Sequence, residues 1–286
     1  MSRIVYVNGA FVAEDQAVVS VFDRGFLMAD AVYEVTSVLD GRLLDFAGHC
    51  RRLDRSLREM AMDNPHDDAA WLALHREVVA RNGLVDGLVY LQVSRGAPPE
   101  RDFAWPTEGL APTVVLFTQA KPGLAEAPAA RTGWRVISVP DQRWARCDIK
   151  TVQLLYPAMA KMAARAAGVD DAWFVEDGQV TEGTSNNAWI VAGGRIVTRP
   201  LSADILSGIT RTAVLRLAAE AQMEVEERAF TLAEAMAADE AFATSATAFV
   251  MPVVEIDGAV LGDGRPGPVA RRMREIYIEE MRRTAG

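Results

Sequence analysis

Residues 146–155 read RCDIKTVQLL, with Lys150 set among Ile149, Val152, Leu154 and Leu155. Lysine occurs only at Lys121, Lys150 and Lys161, although Lys and Arg together number 30. A plain positive charge is almost always given to arginine in this chain. A guanidinium stays protonated, whereas an amine can lose its proton when desolvated and attack a carbonyl. Lys150 is therefore the first candidate for chemistry.

An amine needs partners. Downstream, TEGTSNNAWIV (181–191) sets the carboxylate of Glu182 ahead of a run of hydroxyl and amide side chains. In ILSGITR (205–211), Gly208 precedes a helix start at Ile209 and Thr210, where exposed amides and the helix dipole suit an anion. ATSATAF (243–249) is a second turn of small and hydroxyl residues, and HCRRLDRSL (49–57) carries Arg51 and Arg52 on a helix. Each piece alone has an ordinary explanation: a snorkelling lysine, a turn, a helix cap, a solvated face. Together they are an amine, a lone carboxylate, an anion nest and an arginine. A Schiff base of pyridoxal phosphate requires those four: the lysine to form it, a carboxylate to keep the pyridine nitrogen protonated, and the nest and arginine to hold the phosphate.

The elements that must position these residues alternate between hairpins and helices. Asn8-Gly9, Asp40-Gly41, Asp177-Gly178, Gly193-Gly194 and Asp257-Gly258 each sit between strand-like runs, and each supplies the positive φ of a tight hairpin turn. Helical spacing predicts helices over 46–62, 67–82, 151–167, 209–222 and 267–283. The Ala/Pro/Gly-rich stretch at 119–130 reads as a linker between an N-terminal domain, 1–118, and a C-terminal domain, 131–286. Both halves mix hairpins with helices, so the expected class is α+β.

Bulk properties narrow the function. A chain of 286 residues with 50% hydrophobic and 24% charged residues suits a globular enzyme with a full core. The net charge of −9 argues against a nucleic-acid surface. Cys50 and Cys147 show no metal-ligand spacing, and no metal site is expected. The opening MSRIVYVNGAFV has no secretory pattern and no apolar run is long enough to span a bilayer, so a cytoplasmic protein without membrane contact is expected.

The ordered motifs FDRGFLMADAVYEV (22–35), HCRRLDRSL, RCDIKTVQLL, VTEGTSNNAWIV, ILSGITR and TSATAFVMPVVEIDG resemble the class IV aminotransferases over nearly the whole chain. Within that family, AVYEV, YLQVSRG and RCDIK are most similar to the D-amino-acid aminotransferases. The resemblance implies fold type IV: a small N-terminal α/β domain and a C-terminal pseudo-barrel, in a homodimer, with the active site between the domains. It implies pyridoxal 5'-phosphate as cofactor, a small-molecule amino donor and a 2-oxo acid acceptor. Lys150 then matches the Schiff-base lysine and proton shuttle, and Glu182 the carboxylate facing the pyridine nitrogen. Arg52 matches the phosphate-binding arginine, and Ile209 and Thr210 the phosphate-binding amides, with Leu206 against the cofactor ring. Ala246 stands where the family often has a threonine, leaving only its backbone N–H to serve. Tyr33 matches a tyrosine lining the substrate pocket, and Thr247 is expected beside it.

One loop departs from the pattern. In SRGAPPERDFAWP (94–106), Arg101 matches the arginine that binds the substrate carboxylate, but Phe103 stands where a histidine partner is expected. That leaves room for (R)-amines lacking a carboxylate beside D-amino acids. The alternatives are an aminodeoxychorismate lyase, a branched-chain L-amino-acid transaminase, or a binding protein in which Lys150 is merely buried.

Overall fold

The computed structural model describes residues 2–106 and 109–285, which form two compact units. The first runs to Leu124 and also takes in Ile149–Gln153; the second comprises Ala125–Asp148 and Leu154–Arg283. The segment carrying Lys150 thus belongs to the first unit, although its neighbours in sequence on both sides belong to the second.

The first unit is built on strands β1 (Ile4–Val7), β2 (Ala10–Ala13), β3 (Ala31–Leu39), β4 (Arg42–Leu43), β5 (Gly87–Ser94) and β6 (Thr113–Ala120). They form one antiparallel sheet in the order β2-β1-β6-β5-β3-β4. A short helix α1 (Arg24–Met28) precedes β3, and α2 (Phe46–Glu59) and α3 (Asp68–Asn82) pack on the sheet. Helix α3 has both its signals: Asp67 accepts from the Ala70 N–H at 2.8 Å, and Gly83 closes it at φ +56°. Its Trp71 is fully buried.

The second unit contains α4 (Ala129–Thr132), β7 (Trp134–Pro140), α5 (Leu155–Ala166), β8 (Asp171–Glu176), β9 (Gln179–Gly183), β10 (Asn187–Ala192) and β11 (Arg195–Thr198). It continues with α6 (Ile209–Glu220), β12 (Val225–Glu227), α7 (Leu232–Met236), β13 (Glu240–Ser245), β14 (Phe249–Ile256), β15 (Ala259–Val260) and α8 (Pro268–Thr284). The sheet follows the path β12-β11-β10-β13-β14-β7-β8-β9, with β15 on β14. Strand β9 ends that path, yet only residues 184–186 separate it from β10, near the other end. The sheet must therefore curl into a half-barrel. Its interior is filled by Val136, Trp173, Val180, Ile190, Phe230 and Ile256, all buried. Burying an aliphatic or aromatic side chain of this kind contributes about 1.5–3 kcal/mol of transfer free energy.

All five expected hairpin turns are present, joining β1–β2, β3–β4, β8–β9, β10–β11 and β14–β15. Both central residues have positive φ in every one, for example Asp177 at 49° and Gly178 at 76°. Two helix boundaries differ from the sequence reading. The helix expected from 151 begins at Leu155, because Thr151 bridges to Val32 and the Val152 N–H donates to the Ala31 carbonyl, which holds this stretch extended. The helix expected to reach 62 ends at Glu59, where Ala61 turns into the left-handed region at φ 49°. No described helix is long and apolar enough to cross a membrane.

Candidate active site

In the first unit the central element is β3. Its side chains alternate between two faces. Tyr33 lies on one, stacked on Tyr90 with ring centroids 5.5 Å apart. Glu34 lies on the other, buried against α2. The Lys150 backbone is stitched beside this strand. The Tyr33 N–H donates to the Lys150 carbonyl at 3.0 Å, and the Lys150 N–H donates to Ser56 Oγ on α2 at 3.3 Å. Lys150 Nζ then lies 4.1 Å from the Tyr33 ring centroid, where the ring face attracts a cation. Among the described residues its amine has no hydrogen-bond or carboxylate partner. A half-buried amine held only by a ring face is available for chemistry, unlike one locked in an ion pair.

Arg52 is buried on α2 and grips Glu34 with two parallel bonds, Nε to Oε1 at 2.8 Å and Nη2 to Oε2 at 2.7 Å. His49, one turn earlier on the same helix face, places Nδ1 2.7 Å from Glu34 Oε2. Burial alone would raise the Glu34 carboxyl, but Arg52 and then His49 outweigh it and hold it well below the usual carboxylate range. Arg52 is thus fixed in orientation by a charged partner. Arg101 and Phe103 stand in an exposed loop, with the guanidinium 5.1 Å from the ring centroid.

The second unit carries the carboxylate and the helix start. Glu182, at the end of β9, is 5% exposed, and both its oxygens are engaged. Arg143 Nη1 donates to Oε1, while Asn187 Nδ2 at 3.0 Å and the Leu206 N–H at 3.1 Å donate to Oε2. Three donors on one carboxylate favour its ionised form. Arg143 also binds Asp141, with Nε to Oδ1 at 2.9 Å and Nη2 to Oδ2 at 2.6 Å. Burial works against the Arg143 charge, but Asp141 and Glu182 outweigh it, so this guanidinium is held even more firmly protonated than usual.

Asn187 also donates to the Leu206 carbonyl at 2.9 Å, tying Glu182 to the loop that enters α6. A Cβ on Gly208 would lie 2.1 Å from Asn187 Oδ1, so any other residue here would have to displace that side chain. Helix α6 then starts at Ile209 with no side-chain cap, and Thr210 is buried beside Tyr277, their oxygens 3.5 Å apart. Uncapped first-turn amides are a ready anion site. Ala246 and Thr247 lie in the turn between β13 and β14, both half-buried. That turn is pinned by Arg274, which donates to the carbonyls of Ala248 and Val250 at 2.8 Å each. It ends on Phe249 at φ 60°, a left-handed conformation unusual for a bulky residue.

The residues singled out in the sequence therefore cluster as follows. Lys150 meets Tyr33, and Arg101 meets Phe103, in the first unit. Glu182 meets Leu206 just ahead of Ile209 and Thr210 in the second. Glu34, His49, Arg143 and Asn187 escaped the sequence reading. For His49 and Arg52 a signal existed, since their spacing of three puts them on one helix face. For Arg143 there was none beyond its place ahead of RCDIK.

The family model described as amino-transferase class IV matches residues 31–256. The chain is 38% identical over 271 residues to the D-alanine aminotransferase of Bacillus licheniformis, covering 94% of each. It is 34% identical over 278 residues to that of Staphylococcus aureus (strain MSSA476), covering 96% of this chain and 98% of the relative. Among solved structures, the branched-chain aminotransferase of the thermophilic archaeon Thermoproteus uzoniensis with norvaline superposes with a TM-score of 0.86. The identity is 28%, over 98% of this chain and 94% of that one. The branched-chain enzyme of Escherichia coli gives 0.90 at 22% identity over 98% and 95%, a likeness of fold alone. The α+β architecture anticipated from the sequence, fold type IV, is the one shared with these structures.

Proposed function

The chain belongs to the class IV aminotransferases, and we propose that within that family it moves the amino group of a D-amino acid onto a 2-oxo acid, with pyridoxal 5'-phosphate as cofactor. The observation that carries the choice of donor is the match to two D-alanine aminotransferases over at least 94% of this chain. The donor set fits the cofactor. It comprises an amine without an ionic partner, an ionised carboxylate held by three donors, an uncapped helix start and an arginine of fixed orientation.

Lys150 would hold the cofactor through Nζ, Glu182 would face its ring nitrogen, Leu206 its ring, and Arg52 with the amides of Ile209, Thr210 and Ala246 its phosphate. When bound, the group supplies an electron sink for the carbon that loses its proton. Lys150 Nζ would take the donor's α-proton and, lying 4.1 Å from the Tyr33 ring centroid, pass it on to the cofactor's side rather than back to the α-carbon. Glu182 keeps a negative charge where a ring N–H needs an acceptor, because Arg143, Asn187 and the Leu206 N–H stabilise that charge. Arg101 receives the donor carboxylate, Tyr33 and Thr247 border the substrate, and Phe103 leaves that recognition with one partner fewer. Amines without a carboxylate, of (R) configuration, are the expected secondary donors. The family reading also carries a homodimer in the cytoplasm. Val18, Val21, Phe22 and Phe26 are 44–75% exposed, apolar surface of the kind that a second copy would cover.

The branched-chain enzymes among the solved structures favour a second reading, with L-leucine as donor. A half-reaction panel separates the two. Holoenzyme is mixed with D-alanine, L-leucine, (R)-1-phenylethylamine or aminodeoxychorismate while the cofactor absorbance is followed. D-alanine is expected to react fastest. A faster reaction with L-leucine, or pyruvate release from aminodeoxychorismate without amino transfer to 2-oxoglutarate, overturns the proposal.

A further inference from the structure

The motif FDRGF contributes no group to the chemistry above, yet Arg24 is only 3% exposed. Its guanidinium faces the loop that carries Arg101. Nη1 donates to the carbonyl of Asp102 at 2.6 Å and to that of Ala104 at 3.5 Å, and Nη2 donates to that of Phe103 at 3.1 Å. Nε donates to Asp30 Oδ2 at 2.7 Å. Three successive carbonyls thus converge on one buried cation, an arrangement that suits the rigid fork of arginine and not the point charge of lysine.

A second buried arginine completes the clamp. Arg95 shares Asp30 with Arg24, through Nε at 2.8 Å and Nη2 at 3.1 Å, and its guanidinium lies 4.1 Å from the Trp105 ring centroid. One carboxylate therefore aligns two arginines. One grips the loop by its backbone, the other by an aromatic side chain. The motif around Arg24 is built for this. Asp23 accepts from the Gly25 and Phe26 N–H groups and from Ser94 Oγ. A Cβ on Gly25 would lie 2.9 Å from both Asp23 Oδ1 and Ser94 Cβ, so the close approach needs glycine.

Residues 101–106 contain no helix or strand. A segment with no ladder of its own, yet gripped at residues 102–105, has lost its conformational freedom before any ligand arrives. We propose that Arg24 is a positioning residue for substrate specificity: its clamp on the 102–104 carbonyls fixes where Arg101 starts from the main chain, and so sets the protein's affinity for donors that carry a carboxylate. The inference rests on the reading that Arg101 receives that carboxylate.

The test is a double-mutant cycle on the holoenzyme: wild type, Arg24→Met, Arg101→Ala and the double variant, each with D-alanine. Arg24→Met is expected to raise KM on the order of tenfold, the worth of one weakened charge-assisted contact, while kcat stays within about twofold. That split is the signature of lost ground-state positioning. The increase should vanish in the Arg101→Ala background, because there is then nothing left to position. An unchanged KM in Arg24→Met, or a loss that adds in full to that of Arg101→Ala, overturns the inference. No effect of Arg101→Ala on KM overturns the reading beneath it, and the clamp falls with it. If Arg24→Met yields no folded holoenzyme, Arg24→Lys decides. It keeps a charge beside Asp30 but loses the fork, so the same KM increase is expected and an unchanged KM refutes the clamp.

Discussion

Arg143→Met removes a cation shared by Asp141 and Glu182, and its effect can be worked from the structure. The Asp141 and Glu182 side chains are 9% and 7% exposed, so both carboxylates sit largely out of water. Breaking a buried ion pair by deleting one partner costs about 3–5 kcal/mol, because the remaining charge stays desolvated and unpaired. Here two carboxylates are left, with Thr181 Oγ1 on Asp141 at 2.7 Å and the Asn187 and Leu206 donors on Glu182 as partial compensation. A loss of about 3–4 kcal/mol at pH 7 follows. The loss is pH-dependent, and its sign is fixed. In the native protein burial raises the Asp141 carboxyl, but Arg143 more than offsets this and holds it below its usual value. Its stabilising effect is therefore present above the unfolded-state pKa near 4 and fades as pH falls through the lower folded value. In the variant burial of Asp141 is no longer offset by Arg143, so its carboxyl is raised instead, binds a proton on the folded protein and recovers stability as pH falls towards 4. Both effects shrink the difference between the two proteins in acid. Urea unfolding of wild type, Arg143→Met and Arg143→Met/Glu182→Gln at pH 7 and pH 4.5 is the assay. The double variant should regain stability over Arg143→Met. A loss below about 1 kcal/mol, the value of an exposed pair, or an equal loss at both pH values, would refute the argument.

Lys150→Ala should abolish turnover with D-alanine while leaving far-ultraviolet circular dichroism unchanged; multiple turnovers at near wild-type rate would reassign the amine. Glu182→Gln should slow α-proton removal on the order of 10²-fold, the scale of losing one preorganised electrostatic partner, without releasing cofactor, as read by stopped-flow absorbance with α-deuterated D-alanine. Phe103→His should raise kcat/KM for D-alanine roughly tenfold by restoring a hydrogen-bonding partner, leaving (R)-1-phenylethylamine unaffected; equal changes for both donors would exclude a carboxylate contact. His75 is buried and pushed down to about 4, chiefly by burial and partly offset by its bond to the Trp71 carbonyl. The unfolded chain then takes up a proton near pH 6.5 that the folded one refuses until about 4, so stability falls by about 3 kcal/mol as pH drops across that window; His75→Gln should flatten that part of the stability–pH curve.

The fold was legible wherever one local rule decided the outcome. An Xaa-Gly pair between alternating strands leaves the backbone little choice, and all five pairs are hairpins with two positive φ values. Helix α3 carries its own start and stop in Asp67 and Gly83. Local rules failed where a distant partner intervened. Thr151 and Val152 fit a helical stripe, but β3 offers backbone partners at Val32 and Ala31, and pairing wins. Helix α2 stops where Arg95 donates to the carbonyls of Met60 and Ala61, at 2.7 and 3.1 Å. Arg95 lies 34 positions beyond Ala61, so no local signal could mark the end.

The same division runs through the candidate site. Residues that would touch a substrate or cofactor are chosen for chemistry, and chemistry restricts residue type: an amine at Lys150, a carboxylate at Glu182, a small residue before the amides of α6. Those restrictions survive in a bare sequence. Residues that hold them are chosen for geometry, and their types are ordinary. An arginine binding Glu182, such as Arg143, reads in sequence like any of the exposed arginines on α8. An asparagine such as Asn187, which ties that carboxylate to the Leu206 loop, reads like a turn residue. Only burial and distance separate them from their exposed counterparts. Asn187 illustrates the point further: its Oδ1 lies 2.1 Å from where a Gly208 Cβ would be. Gly208→Ala must then push Asn187 away and take a donor from Glu182, so a helix-entry glycine and the Glu182 carboxylate are coupled through a residue with no chemical role of its own.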